Sequence, residues 1–482
     1  MLSVLFDGRL AALANREGLL IYFLAMNTQF AQDYFEKNRQ AIMDGWFDFL
    51  RIPTVGTDPK RLGDCARCAA WIKQFLRPLG FDVEILTPPT GRPVPVLFAE
   101  RLGEKRDMNV LFYGHYDVQP EDPLNEWNTP PFEPTLIDGR VYARGAQDNK
   151  GQVFGFLHGI KALIEAGKPL PTLKVLIEGQ EESGSEAISL LAPEMASRIR
   201  ADVMMVCDTS SGPDKQPSIV AGLRGVQHFT VTLTGPDHDL HSGVHGGVAP
   251  NPAQGMARLL ASLHNPDGSI AVAGFSDRVC LPSDEERDHA IKGAISDEQY
   301  EKEVGCSPAG GAEHVNMVLR GSFLPTIEIN GIHTGYGGPG SKTVIPSSAL
   351  AKISMRLVPG QVPAETYLAV QKHLEAHCPR GMKVTLSEAC RGAPGFRLPL
   401  KSPIFRLASD VLGQMDPRGA LFRWEGASIP IVATLQAISG AAPLLVGFGR
   451  EEDKIHCPNE SFSVDQLVEC MTWSSMMLSS LS

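Results

Sequence analysis

The feature that most constrains this chain is where its apolar runs stop. Between Asn109 and Asp208, short apolar stretches alternate with segments of helical period, and each stretch gives out into a polar, acid-bearing loop. Asn109–Phe112 leads into Tyr113-Gly114-His115-Tyr116-Asp117, Leu173–Ile177 leads toward Glu181-Glu182, and Asp202–Cys207 ends at Asp208. Among them, Val153, Phe154, Leu157, Ile160, Leu163 and Ile164 recur at helical spacing. This alternation predicts an α/β sheet with parallel segments. In open sheets of that kind, ligands bind beyond the carboxyl ends of the strands. His115, Glu181, Glu182 and Asp208 are therefore expected to converge.

A chain of 482 residues exceeds one ordinary core, so two domains are expected. Residues from Gln29 to Gly80 read as helical. Near residue 221 the character changes: His228–Gly235 alternates like a half-exposed strand, Asn251–His264 reads as a helix with an early Pro, and Thr326–Ile332 and Ala349–Val358 alternate again. A smaller α+β domain over 221–395 is thus expected as an insertion into a first domain formed by 26–220 and 396–482. Pro- and Gly-rich Arg391–Pro399 marks the return, followed by a helix near Pro403–Gly413 and a strand-like run at Pro443–Phe448. Residues 1–25 read as an extension: the apolar run Leu19–Leu24 follows Asp7 and Glu17 as well as Arg9 and Arg16, with no convincing cleavage site.

The formal net charge of -11 argues against nucleic-acid binding. No run of about 18 apolar residues suggests a membrane span. Nine scattered cysteines, an odd number, favour a reducing compartment, hence a cytoplasmic location. Cys65 and Cys68 form a C-x-x-C, but the segment Cys65–Leu76 has the pattern of an amphipathic helix and the pair is read as packing.

Taken singly, the motifs are ambiguous. His115 and Asp117 lie two apart, which in an extended chain directs both to one face, where a carboxylate can orient an imidazole ligand. Alone, the pair fits a strand-end His with a solvated Asp better. Asp148 lies between a strand and the helix beginning near Gln152, where it fits a helix N-cap as well as a carboxylate bridging two cations. Adjacent Glu181 and Glu182 repel each other unless a cation compensates, and their diverging side chains allow one to bind metal while the other stays free as a base. Asp208 adds a carboxylate at a strand end, and His456 lies in a polar loop far downstream. Together they supply two His and three carboxylates, which with a hydroxide balance the four positive charges of two divalent cations. Such a cluster is a hydrolase site.

The strings GHYDVQP (Gly114–Pro120), GAQDNKG (Gly145–Gly151), EGQEESGS (Glu178–Ser185), DLHSGVHGG (Asp239–Gly247) and KIHCPNE (Lys454–Glu460), in this order from about residue 27 onward, resemble the M20 metallopeptidases, in particular the cytosolic non-specific dipeptidase and carnosinase branch. The resemblance implies a zinc-peptidase-like catalytic domain with a mixed, largely parallel sheet and an inserted α+β lid that mediates homodimerisation. It implies that Asp148 bridges two metal ions, with His115 and Asp208 completing one position and Glu182 and His456 the other. Zinc is the expected metal and manganese the alternative. Glu181 becomes the general base on the metal-bridging water, Asp117 clamps His115, and a cis peptide follows Asp148. His241, an ordinary loop His by itself, is implied to stabilise the oxyanion in the partner's active site. Arg356 is implied to pair with the substrate carboxylate, with Thr343, Gly426 and Ser428 as further substrate contacts. His238 and His245 beside His241 form no separate metal site in this reading, and His158 and His228 are structural. The expected reaction is hydrolysis of dipeptides with a free C-terminus. An N-acyl-amino-acid deacylase is the rival of the same fold, and a non-catalytic binding protein is a third reading that the free Glu181 argues against. The long insert with Phe275–Phe323 and the DLHSGVHGG string favour the dipeptidase.

Overall fold

The computed structural model describes residues 28–88, 93–104, 108–390, 392–426 and 429–482. The expected extension, 1–25, and Ser428 lie outside the described residues. The described chain divides into two compact units, one running to Ala221 and resuming over Leu398–Arg423 and Thr434–Ser482, the other comprising Gly222–Arg397 and Trp424–Ala433.

In the first unit, strands β1 (Asp82–Leu86), β2 (Val96–Arg101), β3 (Asn109–His115), β4 (Thr172–Glu178), β5 (Val203–Val206), β6 (Ser218–Leu223) and β7 (Ala442–Leu445) join in the order β1-β2-β4-β3-β5-β7-β6. The four central strands, β4, β3, β5 and β7, are mutually parallel, while β1, β2 and β6 run antiparallel to their neighbours. The sheet is mixed and largely parallel at its centre, as the alternation predicted. β3 runs three residues beyond its apolar stretch because Tyr113 pairs with Leu176 on one side and Val206 on the other, carrying the ladder to His115 opposite Glu178. Central strands buried on both faces read as continuous apolar runs, and every residue of β4 is buried.

Helices that cover this sheet or extend its core include α1 (Gln29–Leu50), α2 (Leu62–Leu76), α3 (Lys150–Glu165) and α4 (Val464–Ser480). Cys65 and Cys68 sit on the buried face of α2, and burial pushes their thiols up to about 12 and about 11. That is the reverse of a reactive thiol. α4 packs along α3 and α1. Its contact with α3 depends on glycines one turn apart: a Cβ on Gly155 would lie 2.9 Å from Cys470 Cβ, and one on Gly159 would lie 2.0 Å from Ser474 Oγ. Small residues on both helices let the backbones approach.

The second unit is built on a four-stranded antiparallel sheet in the order Thr326–Thr334, Ser348–Leu357, Gly225–Thr234, Lys383–Ser387. Helices Pro252–Ala261 and Pro363–Ala376 pack against it, with Phe229, Val231, Leu259, Ile353, Met355 and Val370 in the core. Asn251 caps the first of these helices through the N–H groups of Ala253 and Gln254. Among the described residues, no helix is long and apolar enough to cross a membrane.

Candidate metal centre

The parallel strands deliver their acid-bearing loops to one end of the first unit's sheet. β3 finishes on His115, β4 runs into the short turn Glu181–Ser183, and Asp208 follows β5 by two residues. Asp148 comes from the loop before α3 and His456 from the polar loop before Ser461–Ser463. The Asp148–Asn149 peptide bond is cis.

These side chains form two triads, His115 with Asp148 and Asp208, and Asp148 with Glu182 and His456. In each, the ligating atoms lie within 4.8 Å of one another. Asp148 belongs to both: its Oδ1 lies 3.2 Å from His115 Nε2, and its Oδ2 lies 2.8 Å from His456 Nε2. Asp208 Oδ1 is 3.7 Å from His115 Nε2, and Glu182 Oε1 is 3.4 Å from His456 Nε2.

Asp117, fully buried, holds more than the His. His115 Nδ1 lies 3.1 Å from the Asp117 backbone carbonyl and 3.3 Å from Oδ1. The Asp117 carboxylate also accepts from the backbone N–H groups of Glu181 (3.2 Å) and Glu182 (3.1 Å). One side chain thus fastens the loop after β4 to the end of β3.

Other residues tie the ligands in place. The Asn149 amide donates to Asp208 Oδ1 (2.8 Å) and to the Cys207 carbonyl (2.6 Å). Gln119 donates to Glu182 Oε2 at 2.7 Å. Lys150, buried at the start of α3, donates to the carbonyls of Phe49 and Ile52. Glu460 receives hydrogen bonds from Arg144 and from the backbone of the loop that carries Asp148. Sequence reasoning assigned no role to Gln119, Asn149, Arg144 or Glu460. Gln119, Asn149 and Glu460 stand inside the quoted motif strings and Arg144 directly before one of them, and that was the only signal, because their partners come from other parts of the chain.

The donor set fits divalent cations. His115 Nε2 and Glu182 Oε1 are buried, point into the cluster and have no hydrogen-bond partner, although buried polar atoms are normally satisfied. The electrostatics agree. Burial, reinforced by the charges of Asp148 and Glu182, raises Asp208 to about 6. Burial also raises Glu181 well above the usual carboxylate range; the His115 charge opposes this, and Asp208, Asp117 and Asp148 add to it. Asp148 and Glu182 at its ring nitrogen raise His456 to about 10. Burial works against Asp148, but His115 and His456 outweigh it and hold its carboxyl below the usual range. Carboxylates crowded and desolvated in this way are relieved by bound cations.

The remaining sequence candidates lie in the second unit. His241 ends the two-residue strand Leu240–His241, pairs with Val344 and accepts from the Gly243 N–H at 3.0 Å, while its Nε2 is 3.5 Å from Thr343 Oγ1. Arg356 is half-buried on Ser348–Leu357, in register with Thr326 and Val226. The Gly426 carbonyl accepts from Arg224 Nε at 3.1 Å.

A largely parallel sheet with an imidazole–carboxylate cluster at its strand ends is the arrangement of a metal-dependent hydrolase. Residues 111–479 match the model of peptidase family M20/M25/M40, and the chain belongs to that family; it is a hydrolase acting on peptide bonds. It is 29% identical over 431 residues to the Beta-Ala-His dipeptidase of Rattus norvegicus, covering 86% of this chain and 87% of the relative. It is 28% identical over 442 residues to a Cys-Gly metallodipeptidase of Saccharomyces cerevisiae, covering 87% and 91%. Among solved structures, it resembles an M20 family metallo-carboxypeptidase from Sulfolobus solfataricus with a TM-score of 0.80 and 26% identity, over 91% of this chain and 99% of the other.

Proposed function

We propose that this peptidase hydrolyses dipeptides with a free C-terminal carboxylate, using two divalent cations. His115, Asp148 and Asp208 would hold one, and Asp148, Glu182 and His456 the other. The observation that carries the reading is the shared Asp148, whose two oxygens face two different histidines. The names of the rat and yeast relatives supply the substrate class. When bound, the cations provide Lewis acidity that polarises the scissile carbonyl and makes water a competent nucleophile near neutral pH. Imidazole and carboxylate ligands together suit zinc first and manganese second.

Glu181 acts as general base and then general acid, accepting the proton of the attacking water and delivering it to the leaving amine. Burial, with the neighbouring carboxylates adding to it against the His115 charge, raises its proton affinity well above that of an ordinary carboxylate, the direction that a proton-carrying group requires. Its neighbour Glu182 points its own carboxylate toward His456, so the two adjacent acids divide the work. Asp117 keeps both in register through their backbone N–H groups.

The chain is further proposed to act as a cytoplasmic homodimer through the second unit. There His241 stabilises the developing oxyanion in the partner's centre, and Arg356, with Thr343, Gly426 and Ser428, receives the substrate carboxylate. A planar guanidinium suits bidentate contact with a carboxylate. The edge strand Thr326–Thr334 leaves Ile329 and Ile332 exposed, a surface apt for pairing with a second copy. All nine cysteines are free, which accords with a reducing compartment.

The test is turnover of a dipeptide panel beside N-acetyl and N-succinyl amino acids, after reconstitution with zinc or manganese. Preferential cleavage of free dipeptides is expected. Preferential deacylation would replace the proposed substrate class, and metal binding without turnover of either series would remove the catalytic reading.

A further inference from the structure

Two loops that carry proposed metal ligands meet on one side chain that is not itself a ligand. Glu460 is 1% exposed and stands four residues after His456. Its Oε1 accepts from the backbone N–H groups of Gln147 and Asp148, each at 3.0 Å. Its Oε2 accepts from the Gly145 N–H at 3.0 Å and from Arg144 Nη1 at 2.7 Å. Four donors from residues 144–148 therefore converge on one carboxylate, and the last is the N–H of the residue whose two oxygens face His115 and His456.

The neighbouring geometry gives this contact its purpose. The loop leading to Glu460 holds three non-glycine residues, Lys454, His456 and Asn459, at positive φ. A backbone of this kind away from glycine persists only where the surroundings over-determine it. Asn459 anchors the loop by accepting from the Asn128 N–H (2.7 Å) and donating to the Glu126 carbonyl (2.8 Å). Arg144, also 1% exposed, completes the anchor: it donates to the Pro120 carbonyl at 3.0 Å and lies over the Trp127 ring at 5.3 Å.

We propose that Glu460 is a positioning residue that sets the distance between Asp148 and His456, so that one carboxylate can serve both metal positions, with Arg144 as the buried counter-charge that keeps Glu460 in place. The inference rests on the two-cation reading of the centre. Neither oxygen of Glu460 can be replaced by an amide without loss. If the Gln oxygen faces Gln147 and Asp148, its NH2 meets the donors of Gly145 and Arg144; the reverse orientation sets NH2 against the two backbone N–H groups. Glu460→Gln is therefore a near-isosteric change that must break one pair of bonds.

A purely structural staple would have different consequences, and the same region contains one. Asp453 is fully buried, pairs with Arg140 at 2.5 Å and accepts from the Arg450 N–H and the Gln466 amide, all without touching residues 144–148. Asp453→Asn thus loosens the same stretch of chain without reaching Asp148.

The experiment compares the full-length wild type, Glu460→Gln, Arg144→Lys and Asp453→Asn. It measures zinc affinity and stoichiometry by competition with a chromophoric chelator, and separately the Tm of the metal-free proteins. Glu460→Gln is expected to weaken zinc binding by about 10- to 100-fold, the usual effect of losing a group that orients ligands. Arg144→Lys, which keeps the charge but loses the fork, is expected to weaken it less. Asp453→Asn should lower the Tm while leaving zinc affinity within about threefold of wild type, since its partners Arg140, Arg450 and Gln466 lie outside residues 144–148, which carry Asp148. Equal loss of affinity in Glu460→Gln and Asp453→Asn at equal loss of Tm would overturn the positioning role, as would unchanged affinity in Glu460→Gln. If Glu460→Gln does not fold, unchanged affinity in Arg144→Lys overturns it instead. Failure of the wild type to bind two ions would overturn the two-cation reading itself, an outcome separate from these.

Discussion

Replacing Asp117 by Asn tests how the centre is held together, because it changes two atoms in a fully buried place. In the wild type, one carboxylate oxygen accepts from Glu181 N–H at 3.2 Å and faces His115 Nδ1 at 3.3 Å, while the other accepts from Glu182 N–H at 3.1 Å. The Asn oxygen can keep the first position, but its NH2 then confronts the Glu182 N–H. Two hydrogen bonds lose charge assistance, roughly 1 kcal/mol each, and one buried N–H is orphaned at about 1–3 kcal/mol. Removing one negative charge from the carboxylate cluster offsets part of this, so a net loss of about 2–4 kcal/mol is expected in the metal-free protein. Because Glu181 and Glu182 share the displaced turn, kcat should fall by about 100-fold, as for a catalytic group misplaced by about 1 Å. Urea unfolding of the chelator-treated protein and steady-state kinetics of the reconstituted enzyme measure the two effects. A variant within about 0.5 kcal/mol of wild type, the range of an ordinary surface substitution, and with unchanged kcat would refute the argument.

Glu181→Gln should lower kcat by about 100- to 10,000-fold with two metal ions still bound per chain, as plasma emission of the dialysed protein would show; surviving activity would remove Glu181 as the base. His158 is buried against Phe75 and Phe154, and burial, aided by Lys161, lowers it from 6.5 to about 3. Its contribution is fully present above pH 6.5 and falls by about 1.4 kcal/mol per pH unit down toward pH 3, because the unfolded chain binds the proton first. His158→Leu should flatten the stability–pH curve in that window, and an unchanged slope would contradict the assignment. Gly159→Ala should cost about 1–3 kcal/mol by overpacking, since the new Cβ falls 2.0 Å from Ser474 Oγ; an unaltered Tm would mean that α3 and α4 can separate freely. Mixing inactive His241→Ala with inactive Glu181→Gln should restore about a quarter of wild-type activity if each centre takes His241 from the partner of a symmetric dimer, and no recovery would place His241 outside the partner's site.

Much of this protein is determined locally along the chain. Apolar runs that end in acids placed β3, β4 and β5 and foretold that His115, Glu181, Glu182 and Asp208 would gather, because strand direction fixes which end of a parallel sheet collects the loops. Asn251 ahead of a Pro marked a helix start for the same local reason. Less legible was α4: the run Ser474-Ser475-Met476-Met477-Leu478 lacks a polar face, and only the capping pair of Ser463 and Gln466 marked its start. Its buried serines satisfy their hydroxyls within the helix, Ser474 on the Met471 carbonyl and Ser475 on that of Thr472, so small polar residues can line a close helix contact. The tertiary structure alone decided how the ligands are held. Glu460 meets Asp148 across more than three hundred residues of chain, Asn149 meets Asp208 across 59, and Gln119 meets Glu182 across 63. Such contacts leave no periodic trace in the sequence, because a carboxylate that accepts backbone N–H groups recognises the path of the chain rather than the residues along it.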